Sequence, residues 1–527
     1  MSRAYDFVIV GGGSAGCVLA ARLSEIADAT VCLIEAGGTD WHPFFHIPAG
    51  FAKMTKGLGS WGWSTVPQRY LGGRVMKFTQ ARVIGGGSTI NAQIYTRGNA
   101  LDYDSWRQAG CQGWGYEDVL PYFRESEAND TYDDRYHGKD GPLGVSQPAA
   151  PLPICEAFFR SAGELGIHRN TDMAGAKQDG VGYYQLTQAK TRRSSTAQAF
   201  LRPARRRQNL SVMTGQEAQR LLVEKGRAIG VQLGSETVRA TTEVIISSGA
   251  IGSPRLLMLS GIGPADHLTD LGVEVVAECP GVGSNLQDHI DLFTISECTG
   301  PHTYDASRSL VGAARAGLRY LLSRSGPAAS SLFETGGFWY ADPVARSPDI
   351  QFHLGLGSGI EAGVAKMQNA GVTLNSAYLR PRSRGTVRLA SSNPAIPPLI
   401  DPNYWSDPLD RAMSIRGLRM AREIMAGAAL KTFVRREVLP GPIMESDDAL
   451  FAYAAAHAKT DHHPAGTCRM GVDHGAVVSP SLAFQGIERL RVADASIMPT
   501  LVSSNTNAPT IMIAEKAADM IKADYLS

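Results

Sequence analysis

Short apolar runs and one apolar helical pattern occupy the first part of the chain. Phe-Val-Ile-Val at 7–10 and Thr-Val-Cys-Leu-Ile at 30–34 have the apolar character that buried parallel strands require. A glycine-rich turn at 11–16 and an apolar helical pattern at 17–23 lie between them. The order strand, turn, helix, strand predicts a βαβ unit of a parallel sheet.

The turn reads Gly-Gly-Gly-Ser-Ala-Gly and has the spacing G-x-G-x-x-G. Gly11 permits the tight turn, Gly13 lets the backbone approach a pyrophosphate, and Gly16 lets the helix pack against the strand. Glu35 follows the second apolar run and can accept hydrogen bonds from a ribose diol. These residues predict a dinucleotide site, and the motif alone does not distinguish FAD from NAD.

Later segments predict two kinds of sheet. The apolar runs at 243–247 and 489–493 predict further buried strands, and Ser253-Pro254 predicts a helix start after the first of them. Alternating polar and apolar residues at 349–353 and 385–389 predict the antiparallel sheet of a substrate domain. The chain is therefore expected to be a mixed α/β protein with two or three domains.

Composition narrows the possible partners and the location. The 527 residues carry a formal net charge of +1, which argues against a nucleic-acid partner. The seven scattered cysteines include no C-x-x-C, which indicates a reducing compartment without disulfides or a cysteine-built zinc site. No secretory signal is visible, and charges interrupt the apolar stretch at 510–521, so no transmembrane segment is expected. The expected location is the cytoplasm, with peripheral membrane association as the alternative.

Four longer segments carry a family resemblance. Residues 81–104, which begin Ala-Arg-Val-Ile-Gly-Gly-Gly-Ser-Thr-Ile-Asn, resemble the first signature of the glucose–methanol–choline (GMC) flavoprotein family, and residues 249–263 resemble the second. Residues 280–289, Pro-Gly-Val-Gly-Ser-Asn-Leu-Gln-Asp-His, and residues 494–516 are similar to further segments of that family. The resemblance extends over nearly the whole chain and is weakest in the middle.

The resemblance implies FAD and a two-part fold. A Rossmann-like FAD-binding domain is expected from 1–155, 205–297 and 450–527, and a substrate-binding domain from 156–204 and 298–449. The second should contain a six-stranded antiparallel sheet flanked by helices. Some relatives link FAD covalently through a histidine whose position here is Ile90, so noncovalent FAD is expected. The predicted FAD contacts are Gly11, Gly13, Ser14, Ala15, Gly16, Glu35, Ala36, Arg82, Gly87, Ser88, Asn91, Ala92, Ala218, Asp494, Ala495, Asn505, Asn507 and Thr510.

The catalytic candidate is His463, which precedes Pro-Ala-Gly-Thr and resembles the family's His-Pro-x-Gly-Thr element. A neutral imidazole can take the hydroxyl proton of an alcohol while hydride leaves its carbon. Asn505 occupies the position of the family's partner residue, where an amide can orient the hydroxyl. If residues 462 and 463 are extended, their side chains point to opposite faces, which favours a rim or structural role for His462.

The further substrate candidates are Glu334, His353 and His462, and no metal site is predicted. His137 and His474 are expected at the surface. Several segments, such as residues 46–54 and 337–340, look like those of L-sorbose dehydrogenases within the family, and polyethylene glycol and simple primary-alcohol dehydrogenases are close competitors.

The predicted function is FAD-dependent oxidation of a primary alcohol, a sugar or polyol such as L-sorbose being one candidate, to the aldehyde. A quinone, a protein or a dye-like compound would accept the electrons. Two alternatives stay open at this stage: an oxidase that reduces O₂ to H₂O₂, and a flavin-bearing lyase of the hydroxynitrile-lyase type.

Overall fold

A mixed, mainly parallel sheet forms the first half of the fold. The computed structural model describes residues 3–358, 367 and 370–527. The central strands Arg3–Val10, Val31–Glu35 and Glu236–Ile246 pair in parallel, and their inner residues are fully buried apolar side chains. Leu210–Thr214 adds a parallel strand at one edge, and Leu490–Val492 pairs in parallel with the end of Glu236–Ile246. The four sequence-predicted strands of the cofactor domain are therefore confirmed.

The remaining edge of this sheet is antiparallel. Arg227–Leu233 pairs with the first residues of Glu236–Ile246, and Arg220–Glu224 pairs with Arg227–Leu233. The helices Ser14–Leu23 and Asn507–Leu526 pack on each other, and nearly all side chains of the first are buried. An ion pair between Arg22 and Glu515, at 2.7 Å, joins them across almost the whole sequence.

The second half of the fold is an antiparallel sheet. Its six main strands follow the spatial order Val434–Leu439, Ile290–Cys298, Gly371–Tyr378, Ile350–Gly355, Thr335–Trp339 and Gly180–Tyr183. The short strand Lys459–Thr460 pairs with the first residues of Ile290–Cys298. The helix Pro408–Ala426 covers one face, and Asp407 caps its first turn. The expected six-stranded antiparallel sheet is present, and the domain boundaries themselves remain a prediction.

Two local expectations need correction. The helix predicted to start at Ser253-Pro254 begins at Gly249 and runs to Leu259, with Pro254 inside it. Pro254 cannot donate to the carbonyl of Ala250, and the Thr467 hydroxyl donates to that oxygen instead, at 2.5 Å. The alternating segment at 385–389 forms the strand Thr386–Arg388, which pairs with Leu399–Asp401 in a separate two-stranded sheet.

Short elements connect the two sheets. The other helices are Phe51–Met54, Gly87–Ile90, Ala100–Gln108, Tyr116–Ser126, Pro153–Glu164, Arg202–Ala204, Ala265–Asp270, Leu310–Ser323 and Asp447–His457. Single turns occur at Pro43–Phe45, Pro48–Gly50, Arg69–Leu71, Ala197–Leu201, Tyr304–Arg308, Pro327–Ala329, Ala428–Leu430 and Ala495–Ile497. Two-strand pairs join Ile94–Tyr95 to Gln185–Leu186, Glu127–Asn129 to Leu143–Val145, Gln188–Ala189 to Arg192–Arg193, and Ile262–Gly263 to Ala277–Glu278.

The position of one histidine, His137, differs from the expectation. His137 is fully buried rather than at the surface, and its ring nitrogens lie 3.1 Å from Glu127 and 3.1 Å from Asp172. Hydrogen bonds to these carboxylates outweigh burial and raise the pKa of His137 to about 9. His474 is exposed, as expected. All seven cysteines are buried and none forms a disulfide. Within the described residues, no helix combines the length and apolarity needed to cross a bilayer.

Candidate active site and cofactor cavity

The three motif glycines occupy the positions that their predicted roles require. Gly11 has φ of +106°, and a Cβ atom there would lie 2.5 Å from the carbonyl oxygen of Ser247. A Cβ atom on Gly16 would lie 1.9 Å from the carbonyl oxygen of Gly11, so only glycine lets the helix approach. At Gly13 the nearest atom to a Cβ would be 3.8 Å away, an ordinary contact distance, and Gly13 itself lines the open space above the turn. The helix Ser14–Leu23 starts at this space.

Glu35 is held at the edge of the same space. Its carboxylate accepts hydrogen bonds from the backbone amides of Gly12, at 2.8 Å, and Gly37, at 2.7 Å. Burial raises the pKa of Glu35 above its ordinary value, although these amides and Arg82 act in the opposite direction. A carboxylate has four lone-pair positions, so two remain for a ribose diol.

An elongated cavity runs from this turn into the second half of the fold. Its nucleotide end has a volume of about 950 Å³ and its other end about 1270 Å³, both including open solvent. Ser14, Gly87, Gly249, Ala495 and Thr510 line both ends, so the two are continuous. This shape suits a long two-part ligand such as a dinucleotide.

The donors around the middle of the cavity fit an anionic or carbonyl-rich ligand. The side-chain nitrogen of Asn507 is buried and has no hydrogen-bond partner among the described residues. Its oxygen accepts from the Ser14 hydroxyl at 2.8 Å, which fixes the amide orientation. The helices Ser14–Leu23 and Asn507–Leu526 both begin here, and helix N-termini favour negative charge. The open space above Gly13 and the unused Asn507 donor fit the pyrophosphate and ring carbonyls of FAD.

Most of the predicted FAD contacts line this cavity: Gly11, Gly13, Ser14, Ala15, Glu35, Ala36, Gly87, Asn91, Ala92, Ala218, Asp494, Ala495, Asn505, Asn507 and Thr510. Three predicted contacts lie outside the lining. Gly16 packs beneath the turn, and the Ser88 hydroxyl donates to the carbonyl of Gly85 at 2.6 Å. The guanidinium of Arg82 stacks on the ring of Trp61 at 4.4 Å.

Sequence reasoning missed an aromatic and charged rim at the nucleotide end. Trp61 and Trp63 stack with ring centroids 4.8 Å apart and line the cavity beside Glu217 and Arg255. Arg255 pairs with Glu217 at 3.1 Å and lies over both indoles. The spacing Trp-Gly-Trp in a glycine-rich loop was the available signal, but a loop gives no periodicity from which to place it.

The candidate base, His463, lies at the other end of the cavity. It follows the strand Lys459–Thr460, and only 7 % of its surface is exposed. Its Nε2 atom lies 3.0 Å from the Asn505 side-chain nitrogen. Its backbone amide donates to Asp288 at 2.8 Å, and that carboxylate also accepts from the hydroxyl groups of Thr460 and Tyr404. Asp288 thus anchors the backbone that carries the base.

A second histidine determines which nitrogen of His463 carries the proton. The Nε2–H of His289 must donate to the carbonyl of Leu379, at 3.1 Å, because a carbonyl can only accept. The Nδ1 atom of His289 is therefore a free lone pair, and it lies 3.0 Å from the Nδ1 atom of His463. His463 must then donate from Nδ1, which leaves its Nε2 lone pair as the base. The carboxylate of Asp461, 3.4 Å from the same Nδ1 atom, favours the same tautomer.

The amide of Asn505 is held in one orientation. Its oxygen accepts from the Thr96 hydroxyl at 3.0 Å and from the Gln351 amide nitrogen at 3.0 Å. The Asn505 nitrogen therefore points toward His463, where one of its hydrogens is donated to Nε2 and the other remains for a ligand. The sequence pointed to Asn505 but not to Thr96 or Gln351. Thr96 follows the strand Ile94–Tyr95, and Gln351 lies near the start of the strand Ile350–Gly355.

Burial keeps His463 neutral. Desolvation, together with the neighbouring His289, His353 and His462, lowers the pKa of His463 well below its ordinary value. Desolvation also lowers the pKa of His289 to about 3, so His289 does not compete as a cation. Both rings are thus neutral near pH 7, as a general base and its hydrogen-bond acceptor must be.

His462 does not follow the expected geometry. Its φ is +62°, in the left-handed region, so residues 462 and 463 are not extended and the alternation argument fails here. Both side chains line the cavity. The backbone amide of His462 donates to the Thr460 hydroxyl at 2.9 Å, which closes the tight turn. His462 therefore lies close enough to contact a bound molecule.

The other two substrate candidates lie in different environments. His353, on the strand Ile350–Gly355, lines the cavity with Asn375 and Phe333. Glu334 follows Phe333 but is not among the cavity-lining residues, and its Oε2 atom has no hydrogen-bond partner among the described residues. Burial raises the pKa of Glu334 to about 7. Phe51, Met54 and Thr55 also line the cavity, whereas the preceding apolar loop at 42–48 does not.

The fold brings together two groups of side chains whose atoms could bind a metal ion. Ligand atoms of His289, Asp461 and His463 lie within 4.8 Å of one another, a grouping that the sequence did not indicate. A hydrogen bond between the two imidazoles accounts for their separation. Asp134, His137 and Asp172 form a similar group in which both His137 nitrogens already contact carboxylates. The expectation of no metal stays a prediction.

Comparisons with family models and with known proteins agree on one family. Residues 5–291 and 381–514 match the N-terminal and C-terminal family models described as GMC oxidoreductase. The chain is 41% identical to an "Alcohol dehydrogenase [acceptor]" of Pseudomonas putida, over 99% of this chain and 97% of the relative. It is 42% identical to the mitochondrial choline dehydrogenase of Homo sapiens, over 98% of this chain and 90% of the relative.

A solved structure shares the whole fold. The crystal structure of pyridoxine 4-oxidase from Mesorbium loti superposes with a TM-score of 0.90 at 33% sequence identity. The alignment covers 98% of this chain and 99% of that structure. The chain therefore shares its whole fold, including both sheets, with an oxidase of known structure.

Proposed function

Because the chain belongs to the GMC oxidoreductase family, we propose that it is an FAD-dependent dehydrogenase that oxidises a primary alcohol to the aldehyde. The observation that carries this proposal is the neutral His463, whose Nε2 lone pair points into the cavity beside the Asn505 amide. A base and a hydroxyl-orienting donor at one point are what an alcohol oxidation requires.

The protein side of the mechanism is a proton transfer at a fixed position. When an alcohol binds, its hydroxyl group takes the place of the Asn505 N–H at His463 Nε2. The Asn505 amide then donates to the hydroxyl oxygen, and Nε2 takes the hydroxyl proton as the C–H bond breaks. The charge that develops on the His463 ring lies beside Asp461, 3.4 Å from Nδ1, which stabilises the imidazolium. FAD, when bound, supplies the hydride acceptor.

The cavity favours a primary alcohol with an apolar body. Phe51, Met54, Ile90 and Phe333 form an apolar wall, and the Phe51 and Phe333 rings meet edge to face at 5.9 Å. The names of two relatives, an alcohol dehydrogenase and a choline dehydrogenase, are consistent with a small alcohol donor. L-sorbose or another polyol would leave several hydroxyl groups facing apolar carbon, which makes it a weaker candidate.

We also propose that FAD is bound without a covalent link. Ile90 lines the cavity and has no nucleophilic atom with which to form one. Acid precipitation should therefore release the yellow chromophore into the supernatant. Flavin that remains with the pellet would contradict this proposal.

The reaction is tested by anaerobic flavin bleaching. Purified yellow enzyme is mixed without oxygen with a panel of benzyl alcohol, linear primary alcohols, choline and L-sorbose. Bleaching by a primary alcohol supports the dehydrogenase, and slow recovery of colour in air separates it from an oxidase. Rapid recovery with peroxide would instead indicate an oxidase. If no alcohol bleaches the flavin, the redox function is wrong and a lyase reaction becomes the better reading.

A further inference from the structure

The helix Leu310–Ser323 presents an unusual surface to solvent. Of its fourteen residues, only Tyr320 is buried. Five large apolar side chains are between 59 % and 92 % exposed: Leu310, Val311, Leu318, Leu321 and Leu322. An ordinary surface helix exposes its polar residues and buries its apolar ones, whereas this helix exposes its large apolar side chains together with its arginines.

These apolar side chains form one continuous stripe. At about 100° per residue, they fall within an arc of about 120°, and Tyr320 lies about 140° from the centre of that arc. The Tyr320 hydroxyl donates to the backbone carbonyl of Thr191 at 2.9 Å, which ties the opposite side of the helix to the protein. The stripe therefore points away from the fold.

The charged residues in the segment that carries the stripe are all positive. Residues 306–333 include four arginines and no aspartate or glutamate. Arg315 and Arg319 lie along one edge of the stripe, and Arg324 follows its end. Within the described part of the chain, these three arginines form no ion pair, whereas Arg308 pairs with Asp305. The exposed Lys190 and Arg192 flank the Thr191 tether.

We propose that the helix Leu310–Ser323 is a membrane-surface helix that docks this protein on a bilayer containing anionic phospholipids. An apolar stripe bordered by arginine is the pattern of helices that lie in the plane of the interface, and unpaired cations complement acidic headgroups. A helix of fourteen residues is about 21 Å long, which is shorter than the apolar core of a bilayer, so it lies along the surface.

Docking would also orient the cavity. After the helix, the turn Pro327–Ala329 packs against the turn Pro48–Gly50. Phe51 directly follows the turn Pro48–Gly50, and Phe333 comes four residues after Ala329; both form part of the apolar cavity wall. The bound helix would therefore hold that wall near the lipid, where apolar alcohols and lipid-soluble acceptors concentrate.

The test is sedimentation of the flavin-loaded enzyme with vesicles. The vesicles consist of phosphatidylcholine alone or of phosphatidylcholine mixed with phosphatidylglycerol. The wild type should sediment with the mixed vesicles and much less with the neutral ones. The double variant Leu318→Asp/Leu321→Asp should lose binding by about 100-fold or more, because two leucine side chains no longer enter the interface.

Two further variants separate apolar and electrostatic contributions. Arg315→Gln/Arg319→Gln should weaken binding to the mixed vesicles by about 30-fold and leave binding to neutral vesicles unchanged. Val344→Asp changes an equally exposed apolar residue, 83 % exposed and outside the helix, and should bind as the wild type does. All variants should keep the wild-type flavin spectrum, thermal midpoint and turnover with a soluble dye acceptor.

Three results would overturn the proposal. The wild type could stay in the supernatant with both kinds of vesicle. The double leucine variant could bind as tightly as Val344→Asp. The wild type could be a dimer that Leu318→Asp/Leu321→Asp dissociates, without binding vesicles, in which case the stripe is a contact between two copies. None of these results depends on which alcohol the enzyme oxidises.

Discussion

The hydrogen bond between His289 and His463 should control the rate of the chemical step. Replacing His289 with leucine removes the lone pair that accepts the Nδ1 proton of His463. In the alternative tautomer, the His463 Nε2–H would face the Asn505 amide nitrogen, 3.0 Å away, and the base would be lost. His289→Leu should therefore slow proton removal without removing any group that touches the substrate.

The size of the effect follows from the number of contacts that fix the tautomer. A buried donor or acceptor left unsatisfied costs about 1–3 kcal/mol, which corresponds to about 5- to 150-fold in an equilibrium. Asp461 still lies 3.4 Å from Nδ1 and keeps part of the preference for the active tautomer. We therefore expect the anaerobic rate of flavin reduction to fall by about 10-fold in His289→Leu. His289→Gln, whose side-chain oxygen can accept the same proton, should recover part of the loss.

The assay is stopped-flow bleaching of the flavin at saturating alcohol, measured from pH 6 to pH 9. The apparent dissociation constant of the alcohol should stay within about twofold of the wild type, because His289 is not among the cavity-lining residues. A His289→Leu enzyme that bleaches at the wild-type rate over this range would refute the tautomer argument. A glutamine variant no faster than the leucine variant would also refute it, because the loss would then be structural.

Three other experiments test separate parts of the structure. His463→Ala should slow flavin reduction by about 10²-fold or more and His462→Ala by much less, since only His463 presents a base to the hydroxyl; equal losses would mean that both histidines act on the substrate. Glu334→Gln should stabilise the protein increasingly as pH rises from 4.5 to 7. The raised folded-state pKa means that the wild type loses up to about 3 kcal/mol of stability over that window, so a thermal midpoint difference that stays constant with pH would contradict the burial argument. Gly16→Ala should abolish FAD retention because its Cβ would lie 1.9 Å from a backbone oxygen, whereas Gly163→Ala, with no atom within 4 Å, should keep its flavin; a yellow Gly16→Ala protein would show that the turn can relax.

The nucleotide end of the cavity was predictable from the sequence because its chemistry is local. Gly11, Gly16 and Glu35 lie within one βαβ unit, so their spacing along the chain fixes their spacing in the fold. The family-like motif likewise pointed to His463, which lines the cavity beside Asn505. Its partner His289 ends the segment Leu-Gln-Asp-His, but no local pattern predicts that it contacts His463. The two histidines are 174 positions apart and meet only through strand pairing.

Other predictions from the sequence were wrong or incomplete, also for physical reasons. The extended backbone expected at His462 is replaced by a left-handed turn that hydrogen bonds of Thr460 and Asp288 hold in place. The burial of His137 depends on carboxylates from two other segments, which no local pattern reveals. Alternation at 385–389 predicted a strand correctly but could not predict its partner, because the same pattern suits any half-buried sheet.

The contact between Ser14 and Asn507 has a consequence for how the protein is made. These two residues are 493 positions apart, and together they form the middle of the cofactor cavity. At a synthesis rate of about 5–20 residues per second, the ribosome needs about 25 to 100 s to add Asn507 after Ser14 has been made. Throughout that interval the growing chain has a dinucleotide turn but no closed cavity, and Arg22 lacks its partner Glu515. A cavity complete enough to hold a cofactor can therefore form only after Asn507 has been made, and until then the nascent chain must avoid aggregation without the stabilisation that a bound cofactor provides.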